Sequence, residues 1–337
     1  MTDRLLANSG APRWEKFVVE VLPDDDLRDF VHRYLGYSLT GITREQKMLF
    51  CYGEGNNGKN VLVDTVKSVM GDYAVVAPEK LLTATKQDSH PTELMTLRGR
   101  RLAIASETDK GRSWSAARLK RLTGDREVSA RGMNENFSEF TITHKFIYIS
   151  NPKPGADPDD EALHRRLMLV PFVVCHKERD DPDPARKKWP IVDLKLGETL
   201  QLELSGILNW MVEGCLAWQK RPLTKLPKMR EAEREYRDEQ REKDALTSFL
   251  GIYRITADGV LLATITAEFN RYVDVELKRS GERMSGAEMR KKLEKRGYDV
   301  KRKGRGGYSR VFPSGGPAHE KGGEVVDLSL ERKARKY

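Results

Sequence analysis

The sequence predicts an α/β fold with a mostly parallel sheet, preceded by a helical lead-in and followed by a small basic unit. Three observations point there. Residues 50–66, FCYGEGNNGKNVLVDTV, place a glycine-rich loop between a short apolar run and an amphipathic stretch, the strand–loop–helix order of a phosphate-binding turn. Three more apolar runs follow, RLAIAS (101–106), KFIYIS (145–150) and LMLVPF (167–172), each suited to a buried strand in an alternating α/β pattern. The net charge of +9 is confined to one stretch near the C-terminus.

Taken in order, Phe17, Val18, Val21 and Leu22, then Leu27, Phe30, Val31, Tyr34 and Leu35, recur at helical spacing before GYSLTG. Residues 1–45 therefore read as a helical N-terminal region. The run KMLFCYG (47–53) ends in glycine and reads as a buried strand; beyond the loop, Leu62, Val66, Val69 and Met70 share one helix face that Gly71 terminates. The next two strands end directly at Glu107 and Asn151. In a parallel sheet the carboxyl ends of the strands border the ligand crevice, so both residues are expected to face the same crevice as the loop. This core is assigned to 46–175. Within it, ARLKRLTGD reads as a helix and turn, and REVSARGMNENFSEFTIT as two strands around GMNEN.

A helical connector follows over 176–243. LSGILNWMVEGCLAWQK (204–220) repeats apolar residues at helical intervals, and a charged helix, MREAEREYRDEQREKDA (229–245), comes after Pro227. From 244 to 313 the pattern is two or three short helices and then a basic hairpin, VKRKGRGGYSRVF, the makings of a winged helix. Residues 314–337 read as a flexible tail.

Composition removes several function classes. No apolar run approaches the ~18 residues that span a bilayer, and the N-terminus has no signal-peptide core. Cys51, Cys175 and Cys215 lie far apart and the six histidines show no ligand spacing, so a zinc site or disulfide framework is not expected. Residues 278–310 hold thirteen Lys or Arg against four acids, a difference of nine that equals the whole net charge. Polyanion binding is the direct reading of such a stretch, and a solvated charged helix face the alternative.

The loop supplies the chemistry. Gly53, Gly58 and Lys59 match GxxxxGK. In such a loop Glu54, Gly55, Asn56 and Asn57 would present backbone N–H groups to a phosphate, the following helix adds its N-terminal partial charge, and Lys59 reaches the β- and γ-phosphates. At the next position a Ser or Thr hydroxyl normally ligates Mg²⁺ at about 2.1 Å, but here the residue is Asn60. Its carboxamide oxygen is a neutral ligand on a longer arm. A variant acting through water and a loop that binds without turnover both fit. Glu107 ends a strand where an acid holds the metal or polarises water, Asp109 lies two residues on, and Asn151 is placed to orient that water.

Five segments, GEGNNGK, RRLAIASETDKG, LKRLTGDREVSAR, YISNPKP and EALHRRLMLVPF, occur in an order and spacing that resemble the superfamily 3 helicase domain of phage and plasmid primase-helicases, relatives of the poxvirus-type primase-helicase. The likeness covers about 13–245, and the later basic segment resembles that family's C-terminal DNA-binding region.

The resemblance implies a P-loop NTPase of AAA+-like, superfamily 3 type with ATP and Mg²⁺ as cofactors, working as a hexameric homo-oligomer on single-stranded or forked DNA in the cytoplasm of a bacterial host. It gives Gly53, Gly58 and Lys59 the Walker A role, Glu107 the Walker B role and Asn151 the sensor role, while Asn60, with Glu107 a candidate Mg²⁺ ligand, departs from the family's hydroxyl residue. Arg165 or Arg166 would be the arginine finger reaching a neighbour's nucleotide. Lys120, Arg126 and Arg131 become phosphate contacts in the channel, and Lys301, Arg302, Lys303 and Arg305 DNA contacts of the basic unit. Many relatives carry a primase domain ahead of the helicase. Only 45 residues precede the core here, so primer synthesis is expected from a separate partner.

Overall fold

A computed structural model describes residues 9–84, 91–106, 113–133, 135–255, 259–302, 309–313 and 326–327. It divides into two compact units. The first is Met1–Ala156 with Asp160–Tyr236, and the second is Asp157–Asp159 with Arg237–Tyr337.

In the first unit the chain runs α1 (Pro12–Val21), α2 (Asp25–Ser38), β1 (Met48–Tyr52), α3 (Lys59–Met70), β2 (Ala74–Val76), α4 (Pro91–Met95), β3 (Leu102–Ser106), α5 (Ala116–Gly124), β4 (Glu127–Ala130), β5 (Ser138–Thr141), β6 (Lys145–Ser150), α6 (Glu161–His164), β7 (Leu167–Pro171), α7 (Leu196–Gln201) and α8 (Leu204–Lys220). α9 (Pro227–Lys243) carries the division between the units.

Five strands form one all-parallel sheet in the order β2-β3-β6-β1-β7. The expected four strands are present. β2 was not anticipated, because three residues after a helix-terminating glycine carry no period of their own. The predicted pair around GMNEN is the antiparallel hairpin β4–β5, with Glu127 opposite Thr141.

Strand alternation sends side chains to two apolar layers. Leu49, Cys51, Ile104, Ile147 and Val170 pack with α1, α2, α3 and α8 on one face. Met48, Phe50, Ala105, Tyr148 and Leu169 pack with Trp114, Leu122 and Phe140 on the other. The buried Tyr34 hydroxyl ties α2 to the sheet, donating to Phe146 O at 2.7 Å and accepting from Leu49 N at 3.2 Å. The charged helix expected over 229–245 is two helices, because Asp244 turns to extended backbone and caps α10 (Ala245–Ile252), accepting from Thr247 N at 2.9 Å.

In the second unit, α10 is followed by β8 (Tyr253–Arg254), β9 (Val260–Leu261), α11 (Leu262–Val275), α12 (Gly286–Lys295), β10 (Tyr298–Arg302), β11 (Ser309–Pro313) and β12 (Val326–Asp327). A three-stranded antiparallel sheet, β10-β11-β9, lies with the three helices around Phe249, Phe269, Val273, Leu293 and Val311. A capping box, Ser285 with Glu288, starts α12. The hairpin β10–β11 is present in the expected place; its connection, 303–308, lies outside the described residues, as does the tail apart from Val326–Asp327, which pair with Tyr253–Arg254.

No helix among the described residues is long and apolar enough to cross a membrane. The three cysteines are free.

Candidate nucleotide site

The loop leaves β1 at Gly53 and enters α3 at Lys59. Two glycines are required by what surrounds them. Gly53 has φ +148°, and a Cβ there would come within 2.3 Å of Phe172 O; Gly58 has φ +80°, and a Cβ would meet Val21 Cγ1 at 2.6 Å. The loop is therefore gripped between the end of β7 and the lead-in helix α1. Asn56 also takes a left-handed conformation, φ +56°, which asparagine tolerates better than most residues.

Asn57 fixes the loop from inside, donating to Phe172 O at 3.0 Å. Asn56 O accepts from His176 N at 2.7 Å.

Lys59 is 4% exposed. Its ammonium donates to Gly53 O at 2.8 Å, Asn57 Oδ1 at 2.9 Å, Glu54 O at 3.2 Å and Asn151 Oδ1 at 3.2 Å. All four acceptors are neutral. Burial makes the ammonium easier to deprotonate than an ordinary lysine, and the same burial pushes the Cys51 thiol up to about 12. A concentrated positive charge held by neutral oxygens at the lining of a cavity suits an anion that brings its own compensating charge.

Asn151 reaches the loop because β6 is paired with β1 in register, Tyr52 opposite Ser150. A cavity of about 600 Å³ opens over Gly55–Asn60 and Asn151, and Asn60 is exposed at its edge in the first turn of α3.

The predicted loop residues and Asn151 are thus brought together. Glu107 and Asp109 lie outside the described residues. No group of three or more potential metal ligands occurs among the described residues.

The two arginines before β7 differ. Arg166 is 7% exposed, donating to Thr123 Oγ1 at 3.1 Å and Ala162 O at 2.7 Å, whereas Arg165 is exposed. Neither lines the cavity.

Among the expected DNA contacts, Lys120 is paired with Asp160 at 2.7 Å. Arg126 is exposed, and the Arg131 guanidinium lies over the Phe137 ring at 5.1 Å on the hairpin. Lys301 pairs with Asp299 at 3.6 Å in β10; the Arg302 side chain, Lys303 and Arg305 lie outside the described residues.

Sequence reading missed the partners that hold the loop. Phe17 and Val21 were legible as helix core but not as the surface against which Gly58 packs, and nothing in the segment around His176 signals its bond to Asn56.

Residues 51–166 match a family model described as a family of unknown function (DUF5906). Across longer stretches the chain is similar to viral proteins whose names propose helicases: it is 24% identical to one from Acanthamoeba polyphaga mimivirus (72% of this chain, 26% of that protein) and 28% identical to one from Frog virus 3, isolate Goorha (69% and 25%). A protein of African swine fever virus, strain Badajoz 1971 Vero-adapted, whose name proposes a primase, is 30% identical over 51% of this chain and 18% of that protein. The chain spans about a quarter of the length of the first two relatives. Two structures of the NrS-1 C-terminal region share the fold at TM-scores of 0.51 and 0.52, with 13% and 11% identity, covering 94% and 93% of this chain and 79% and 78% of those chains.

Proposed function

We propose that the protein is an ATP-dependent DNA helicase of superfamily 3 type, acting in the replication of a phage, prophage or plasmid. The observation that carries the reading is the buried Lys59 ammonium, held by the loop's own carbonyls and by Asn151 at the carboxyl end of a parallel sheet. Gly53–Lys59 would hold the triphosphate, and Lys59 and Asn151 would exchange part of their mutual contact for phosphate and water. Mg²⁺, when bound, would neutralise phosphate charge; Asn60 and Glu107 are its proposed partners. The viral relatives named for helicase or primase activity support the assignment to replication.

In this reading the working form is a homo-hexamer, and Arg165 is the finger that completes a neighbour's site. Arg166 is already committed to Thr123 and Ala162, while the exposed Arg165 is free to extend. Such a finger stabilises charge developing on the transferred phosphoryl group. Arg126 and Arg131 on the β4–β5 hairpin would follow one DNA strand through backbone contacts. The second unit would bind DNA as a winged helix, with Lys301, Arg302, Lys303 and Arg305 its proposed DNA contacts.

The test is steady-state ATP hydrolysis with and without single-stranded DNA. Hydrolysis stimulated by DNA and abolished in Lys59→Ala is expected; absence of hydrolysis in the wild type contradicts the motor.

A second reading, a nucleotide-gated DNA-binding protein with little turnover, is favoured by one observation: Asn60 stands exposed where a hydroxyl would ligate the metal. Asn60→Ser separates the two. Turnover rising by an order of magnitude or more selects the gated binder, and similar, substantial turnover in both selects the motor.

A further inference from the structure

The cavity over the phosphate loop is lined by groups of both charges. Lys59 and the loop residues contribute the cation. α1 and the segment before α7 contribute an ion triad to the same lining: Arg13 bonds Glu20 at 3.2 Å and Asp193 at 3.3 Å. The two carboxylates remain partly open, at 35% and 47% side-chain exposure; Asp193 Oδ1 also accepts from Lys195 N at 3.1 Å and Glu20 Oε1 lies 4.0 Å from Lys16 Nζ, and each carboxylate keeps further lone pairs. Part of the lining is apolar. Phe17 and Leu196 belong to it, and Ile191, an apolar side chain 48% exposed, borders the cavity.

A ligand that was only a chain of phosphates would gain from Lys59 but offer nothing to the two carboxylates. A nucleoside triphosphate has the matching polarity. Its phosphates are anionic, its base is a flat apolar body, and its ribose hydroxyls and exocyclic amine are hydrogen-bond donors that carboxylates accept.

Resting on the nucleotide-site reading above, we propose that Glu20 and Asp193 are specificity-determining residues that read the donor end of a nucleoside triphosphate and reject inorganic polyphosphate. Arg13 acts as a positioning residue by holding both carboxylates at the wall. About 600 Å³ accommodates one such ligand.

The experiment is equilibrium competition on the full chain. A fluorescent ATP analogue is displaced by ATP, by 2′,3′-dideoxy-ATP, by inosine triphosphate or by inorganic tripolyphosphate. Wild type, Glu20→Gln, Asp193→Asn and Lys59→Ala are compared, with thermal unfolding as the folding control. Wild type is expected to prefer ATP over tripolyphosphate by more than tenfold. Glu20→Gln and Asp193→Asn, which keep side-chain size, should each weaken ATP by roughly tenfold while leaving tripolyphosphate unchanged or tighter.

The dideoxy analogue and inosine triphosphate identify the donor. Loss with the first assigns the ribose hydroxyls, and loss with the second assigns the base amine. Equal weakening of ATP and tripolyphosphate, or of neither, in both carboxylate variants overturns the inference, even while Lys59→Ala still loses both ligands. If Lys59→Ala binds both ligands as wild type does, the phosphate-loop reading itself fails.

Discussion

Positive charge is used in two different ways in the two units. In the first, one ammonium, Lys59, is buried among four neutral oxygens and placed by a parallel sheet, two glycines and the lead-in helix. In the second, cations are numerous and mostly near the surface, and many are matched by local acids: Arg296 bonds Asp244 at 2.7 Å, Arg290 bonds Glu294 at 2.9 Å and Arg283 bonds Asp274. The first arrangement resists salt, since a buried charge is poorly screened, and it selects by geometry. The second gives a diffuse field that favours any polyanion and weakens as salt rises. Positioned phosphate chemistry needs the first kind, whereas holding a long nucleic acid regardless of its sequence needs the second.

The largest expected effect strikes the buried cation. Lys59→Ala should weaken ATP by about a hundredfold or more, read by equilibrium binding, with little change in DNA affinity at low salt. An equal loss of both ligands would erase the distinction between the units.

Next comes stability against pH. His144, buried at the start of β6, is held to a pKa of about 3 chiefly by burial, against about 6.5 in the unfolded chain. Between those values the unfolded chain binds more protons, so stability should fall as pH drops below about 6.5. By pH 4 the loss should be on the order of 3 kcal/mol. Neighbouring Lys145, held to about 7 chiefly by burial, makes stability rise from about pH 7 toward 10.5 for the same reason. Thermal melts of His144→Phe and Lys145→Met should each lose their own part of the slope.

A smaller effect is expected at Gly58. Gly58→Ala adds a Cβ 2.6 Å from Val21 in a left-handed conformation and should cost about 1–3 kcal/mol in chemical unfolding. The smallest change is graded: Lys301→Ala with Arg302→Ala should lower the slope of log affinity for DNA against log salt by about 2, leaving ATP affinity at the loop unaltered.

The parallel core was legible because its strands are continuous apolar runs bounded by polar residues, and the loop because its glycines and lysine occur together. The lead-in, the β4–β5 hairpin and the helix of 204–220 were legible from period alone. What escaped was set by long-range packing. β2 exists because β3 offers an edge, and Asp244 ends one helix by capping the next. The ion pair of Arg13 with Asp193 joins residues far apart in the first unit's chain, a juxtaposition no local pattern contains. The different exposure of Arg165 and Arg166 also needed the fold, because adjacent identical residues differ only in what lies beside them.

The most direct test of a phosphate-gripping Lys59 in a working motor is ATP turnover titrated with single-stranded DNA, wild type beside Lys59→Ala. DNA-stimulated hydrolysis in the wild type with none in the variant is the predicted result. Equal turnover in the two proteins, or ATP bound as tightly without the lysine as with it, would contradict it.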